Sequence, residues 1–237
     1  MSGERPSVVL EALGSPRSGG GVRVEFEWLN DRYFHSISAF GEDSTRQVLR
    51  SLEGESDEIL PPSPCLTELH QQGDTLFLRG ATSACHWSMS VHIGKARFPE
   101  QQDLEMLNRF KQRYELNTSA VPTGEHAIFQ FLSFDVACRV KRHDCTFGSH
   151  YHLFNAMERL AHGNHPYVII DDHLFNRPLI LYLGANPHKN SLQFQPEPNC
   201  HVSPVEVTET LLRVGSTRES YEKAPVTLQW RYGVWVF

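Results

Sequence analysis

Of the 13 histidines in this 237-residue chain, six crowd one stretch: His143, His150, His152, His162, His165 and His173. Asp144, Cys145, Glu158, Asp171 and Asp172 lie among them. Imidazole, carboxylate and thiolate are the ligands of zinc and of non-haem iron. The run Ile169-Ile170-Asp171-Asp172-His173 puts two carboxylates and an imidazole at the end of an apolar segment that reads as a buried strand. The ligand set this offers for zinc or iron is His150, His152, Asp171, Asp172 and His173. Such a metal would activate water or O₂, with Asp171, Asp172 or Glu158 as ligand or base, in a hydrolase or an oxygenase. The competing account is a set of surface and helix-end histidines, and no HExxH motif is present.

A second set sits on two long alternating segments. Over 84–94, Cys85, Trp87, Met89, Val91 and Ile93 point one way, while His86, Ser88, Ser90 and His92 point the other. Over 126–142, Leu132, Phe134, Val136, Cys138 and Val140 alternate with Ser133, Asp135, Ala137, Arg139 and Lys141. If the two strands share a sheet face, His86, Ser88, Ser90, His92, Asp135 and Arg139 form one polar surface. Turned inward in a closed barrel, this set would line a pocket for an anionic ligand; turned outward, it is the wet face of an antiparallel sheet.

Two short resemblances involve these kinds of residue. His150-x-His152 followed by Glu158 resembles the cupin ligand pattern, which implies a strand-borne metal pair. Here Ser149 as a cap, the stripe Leu153, Phe154, Met157, Leu160 and Ala161, and the terminal Gly163 predict a helix, in which residues two apart diverge by about 200°. The Glu also comes late. On that helix Glu158 and His162, four apart, would share a face. Glu25-Phe26-Glu27 resembles the alternating glutamates of the CYTH triphosphate-tunnel enzymes, which implies a metal-binding barrel, but the family's lysine position holds Leu29. These residues otherwise read as a solvent-facing strand edge. No GxSxG elbow, phosphate loop or GxGxxG turn occurs. Cys85 and His86, adjacent on a strand, face opposite ways and cannot act as nucleophile and base.

The elements that must position these residues are mostly strands. A hairpin is predicted from Val22–Trp28 and Tyr33–Phe40 with Asn30-Asp31 at its turn. Further strands are expected near 75–80, 84–94, 126–142, 167–170, 178–183, 191–195, 204–214 and 225–237. Three short helices are expected at 45–53, 100–115 and 150–162. The fold class that follows is α+β: a strand-rich, mostly antiparallel sheet, barrel or sandwich-like, with about three helices. Residues 1–20, rich in Gly, Ser and Pro, read as a flexible tail, and 21–237 as one globular domain.

Composition narrows the function classes. Hydrophobic residues make up 40% and charged residues 21%, enough for a real core. The formal charge of −6 argues against a nucleic-acid-coating protein. The acidic excess at 42–58, which includes Glu53, reads as solvated surface. The N-terminus has no basic region leading into a long apolar run, and no segment is apolar enough to span a bilayer. Five scattered cysteines without CxxC read as reduced thiols of a cytoplasmic protein. The expected function is a non-enzymatic module that binds a small molecule or a protein partner, without cofactor, nucleic acid or membrane. The alternative is the metal-dependent hydrolase or oxygenase built on the 143–173 cluster.

Overall fold

The computed structural model describes residues 5–14, 20–41, 45–54, 63–97, 128–141, 147–154, 156–162, 165–170, 179–184, 205–207, 211–215 and 225–236. Its strands are β1 (Val8–Leu13), β2 (Gly21–Leu29), β3 (Arg32–Phe40), β4 (Thr45–Ser51) and β5 (Glu68–Gln72). There follow β6 (Thr75–Ala81), β7 (Cys85–Arg97), β8 (Ile128–Val140), β9 (Gly148–Leu153) and β10 (Ala156–His162). The series closes with β11 (His165–Ile170), β12 (Leu179–Gly184), β13 (Val205–Val207), β14 (Leu211–Gly215) and β15 (Val226–Val236). Seven strands form one sheet in the order β1-β2-β3-β4-β9-β14-β13, and eight form the other, β10-β11-β12-β15-β8-β7-β6-β5. Neighbouring strands pair antiparallel in both.

The inner faces follow the period of two. Val22, Val24 and Phe26 on β2 and Tyr33, His35, Ile37 and Ala39 on β3 are buried. Facing them, Trp87, Met89 and Val91 on β7, Phe134, Val136 and Cys138 on β8, and Trp230, Tyr232 and Val234 on β15 are buried too. The hairpins close as their residues demand: Asn30 takes φ 60° and Gly73 φ 56°, left-handed values that Asn tolerates and Gly favours.

Three expectations need correction. The first concerns helices, which are absent among the described residues. The segment expected as a helix at 45–53 is β4. Its adjacent apolar pair Val48-Leu49 suggests a helical stripe, but a bulge supplies the reason: Leu49 pairs with Ile37 and Gln47 with Ser38, so Val48 is the extra residue and both apolar side chains are buried. The helix expected at 150–162 is β9 followed by β10, and these belong to different sheets. Ser149, Tyr151 and Leu153 are buried while His150 and His152 are half-buried, which is the alternation of a strand. Register in β10 shifts between Ala156 and Glu158, again masking the period of two. The helix expected at 100–115 and the strand at 191–195 lie outside the described residues. The described residues therefore form two antiparallel sheets and carry no helix, which overturns the α+β expectation for them.

The second correction is closure. Each sheet ends on its own edge strands, β1 and β13 in one and β10 and β5 in the other, so the sheets do not form a closed barrel. Phe26 points into the core, whereas Glu25 and Glu27 lie on the outer face of the seven-stranded sheet, with Glu27 exposed. The third is the tail: Val8–Leu13 pairs with Gly21–Phe26 as β1, with Leu10 and Ala12 buried. β5 has no counterpart in the sequence reading, because Glu68-Leu69-His70-Gln71-Gln72 carries one apolar residue.

Where β6 passes under residues 65–67, Gly80 leaves room for a crossing backbone: a Cβ there would collide with the Cys65 carbonyl. The crossing is pinned by Thr67 N–H donating to the Arg79 carbonyl at 2.9 Å. Gly80→Ala should therefore destabilise the protein by about 1–3 kcal/mol, read as a lowered midpoint in urea. An unchanged midpoint would mean that this crossing can slide without cost.

Candidate functional site

The outer face of the eight-stranded sheet carries the polar surface expected from the two long strands. Its rows run across β5, β6, β7, β8 and β15. One row is Glu68, Arg79, Ser88, Ala137 and Gln229; the next is His70, Phe77, Ser90, Asp135 and Arg231. Small side chains in the middle of each row stand between long ones on either side. A size profile of this kind makes a trough along β7 and β8, and the structure has one of about 680 Å³. Its lining includes Ser88, Ser90, Asp135, Ala137, Phe77 and Gln229.

Of the residues singled out from sequence, Ser88, Ser90 and Asp135 line this trough. His86 and Arg139 are exposed and directly opposed, and His92 is half-buried opposite Ser133. The set occupies one face as expected, but that face is the outer surface of a sheet and not the interior of a barrel. The trough walls were not legible as such. Glu68 and His70 belong to the unrecognised β5, and Arg79 and Phe77 sit on a strand whose partner was unknown.

Charge in the trough cancels locally. Arg79 Nη2 lies 2.5 Å from Glu68 Oε2, and Arg231 Nη2 lies 2.7 Å from Asp135 Oδ2. Arg79, Glu68 and Arg231 are more than half exposed and Asp135 is partly so, and each such pair contributes little to stability. Phe77, 45% exposed, is the large apolar group on this surface.

The metal candidates come together only in part. His150 and His152 share the outer face of β9, on the seven-stranded sheet; His150 Nδ1 is 2.7 Å from Ser63 Oγ, and the His152 ring packs edge-on against Phe154. Asp171, Asp172 and His173 lie outside the described residues, as do His143, Asp144 and Cys145. Glu158 and His162 are on β10 in the other sheet, so no helical face joins them. Among the described residues no group of three or more His, Cys, Asp or Glu side chains is placed to hold a metal ion.

A separate polar constellation lies inside the core, where the sequence gives little sign of it. His35 continues the buried face of β3, and Glu53 belongs to a segment read as acidic surface. Their side chains are only 1% and 2% exposed, with Nδ1 and Oε1 3.0 Å apart. The contact is close but poorly aligned for a hydrogen bond, and Glu53 Oε2 has no hydrogen-bond partner among the described residues. From His35 Nε2 the line runs 2.8 Å to the Tyr151 hydroxyl, and from there to the Tyr232 hydroxyl. Trp230 Nε1 donates to Ser149 Oγ at 3.0 Å, and Ser149 in turn bonds Tyr232. The line runs from Trp230 through Ser149, Tyr232, Tyr151 and His35 to the Glu53 contact, and its direction is fixed at the Trp230 end, where an indole N–H only donates. These groups are sealed from solvent, so their work is to join the sheets.

Comparison with protein-family models, with curated proteins and with solved structures finds no match to this chain. Among the described residues no helix is long and apolar enough to cross a membrane.

Burial pushes the Tyr151 hydroxyl well above the usual phenol range, and the neighbouring Tyr232 adds to it. Burial likewise pushes Tyr232 up, partly offset by its bonds to Ser149 and Tyr151. Unfolded tyrosine ionises near pH 10, and the folded state keeps both protons beyond that. The stability held by these hydroxyls is thus intact below about pH 10 and is lost above it, at up to about 1.4 kcal/mol per pH unit for each. Urea titrations at pH 8, 9.5 and 11 should show this decline, and Tyr151→Phe/Tyr232→Phe should flatten it. An equal decline in the double variant would assign it to other groups.

Proposed function

We propose that this protein is a non-enzymatic binding module whose ligand lies in the trough over β7 and β8. The observation that carries the reading is the size profile across the sheet, with Ser88, Ser90 and Ala137 flanked by Phe77 and Arg79 on one side and Gln229 and Arg231 on the other. A volume of about 680 Å³ is in the range of small-molecule sites. Hydroxyls, a carboxylate and an amide converge there with an exposed ring. The nucleophile–base pairs and phosphate loops of the common enzyme classes have no counterpart in the sequence, which favours binding over catalysis.

Ser90→Trp fills the floor from an outward-facing position, so it should leave thermal stability nearly unchanged. It should lower affinity at least tenfold, a loss of about 1.4 kcal/mol, for any ligand found by a thermal-shift screen of metabolites, glycans and peptides. A ligand that binds this variant as tightly as the parent lies elsewhere, and the assignment of the trough fails. His86→Ala and His92→Ala then measure how far the ligand extends along the strands.

One observation favours a second reading. β9 is a strand, so His150 and His152 share a face, which removes the angular objection to a His-x-His metal pair. In this reading zinc or iron held by these two residues, with Asp171, Asp172 or His173 as partners, serves a hydrolase or oxygenase. Plasma mass spectrometry of the purified protein decides it. Near-stoichiometric metal lost on His152→Ala supports the metalloenzyme, and a folded, metal-free protein in chelator rejects it.

A further inference from the structure

We propose that the ligand of the outer trough is a neutral oligosaccharide that lies along β7 and β8 with a sugar ring against Phe77. The proposal rests on the binding reading above and specifies its ligand class.

Charge is the first argument. Four formal charges in and beside the trough are matched within the protein, Arg79 with Glu68 and Arg231 with Asp135. An anionic ligand would meet a carboxylate beside each guanidinium, and a cationic one a guanidinium beside each carboxylate. A neutral ligand can add hydrogen bonds to both pairs without breaking either. Paired planar groups also suit neighbouring hydroxyls, since a carboxylate accepts two and a guanidinium donates in a fixed fork.

The floor is the second argument. Ser88 and Ser90 offer hydroxyls that both donate and accept, and Gln229 at the far wall offers an amide that does the same. These groups match a ligand whose own groups are donors and acceptors at once, as sugar hydroxyls are. A peptide is served less well. Its backbone amides need regularly spaced partners, which a sheet supplies at an edge and not across the side chains of its face.

The third argument is Phe77. On β6 it stands directly across from His70 on one side and Ser90 on the other, and it is 45% exposed. An apolar ring kept in water beside a polar floor offers a flat surface to a ligand that has both an apolar face and a polar rim. The C–H face of a pyranose ring meets that description, and its rim of hydroxyls would reach Ser90 and Asp135.

The test is titration calorimetry of the full chain with neutral hexasaccharides of glucose, xylose and mannose, with an oligouronate, and with a neutral extended peptide. The proposal expects a neutral hexasaccharide to bind. Phe77→Ala should weaken it roughly tenfold and Phe77→Trp should preserve it, since the aromatic surface and not the exact side chain is required. Ser90→Trp should abolish it. Binding of the oligouronate or the peptide alone, blocked by Ser90→Trp, overturns the sugar class and leaves the trough as the site. A neutral sugar that binds Ser90→Trp as well as the parent overturns both readings. Failure of all three neutral sugars to bind at millimolar concentration overturns the present proposal.

Discussion

His35 joins the two sheets by its ring and by its nitrogens. On its own sheet the ring stacks on Phe26 at 4.8 Å; across the sandwich it stacks on Phe134 at 5.8 Å, which in turn stacks on Tyr232 at 4.7 Å. Its Nε2 reaches Tyr151, whose hydroxyl meets Tyr232 of the opposite sheet. Apolar contacts between sheets tolerate sliding, because they are non-directional. Hydrogen bonds across the gap do not, and a buried donor or acceptor left unpaired costs about 1–3 kcal/mol. The polar line from Trp230 to Glu53 therefore sets where one sheet lies on the other. The buried Glu53–His35 contact belongs to the same device: removing either partner would strand the other in the core.

With the inner faces committed to that interface, the outer faces are left to meet solvent and ligand. The trough is a product of this division of labour. Met89 and Val136 face inward and fill the core, which leaves Ser88, Ser90 and Ala137 facing out with little volume. β5 and β6 then raise one wall, because the hairpin turn at Gly73 places Glu68 opposite Arg79 and His70 opposite Phe77. Neither wall nor floor requires a loop, so the shape of the surface is set by strand pairing and side-chain length alone.

The alternation along β7 and β8 was legible because period two is unbroken there, and the inference that His86 meets Arg139 and Ser90 meets Asp135 needed only that the strands be neighbours. The helices were misread where a bulge interrupts that period. At Val48 an extra residue puts two adjacent apolar side chains on one face, which in sequence looks like a helical stripe. At 150–162 the chain leaves one sheet after Leu153 and joins the other at Ala156, so two strands of different sheets were summed into one pattern. Glu53 and His35 escaped notice for a different reason: what makes them a pair is a partner across the fold, and charge in a sequence reads as exposure until that partner is known. β5 was missed because an edge strand with one apolar residue has almost no hydrophobic signal to detect.

The place of β15 has a consequence for the order in which the molecule is made. It lies between β12 and β8 and pairs with both, yet it follows both in the chain. A nascent polypeptide that has completed β5 to β8 and β10 to β12 holds two fragments of one sheet with two facing, unsatisfied edges. Those edges stay open until the segment 226–236 has left the ribosome and slots between them. The eight-stranded sheet must be completed after translation of nearly all its parts, by long-range pairing of the kind that folds slowly. In the interval, the open edges of β8 and β12 are the places where two growing copies could pair with each other instead.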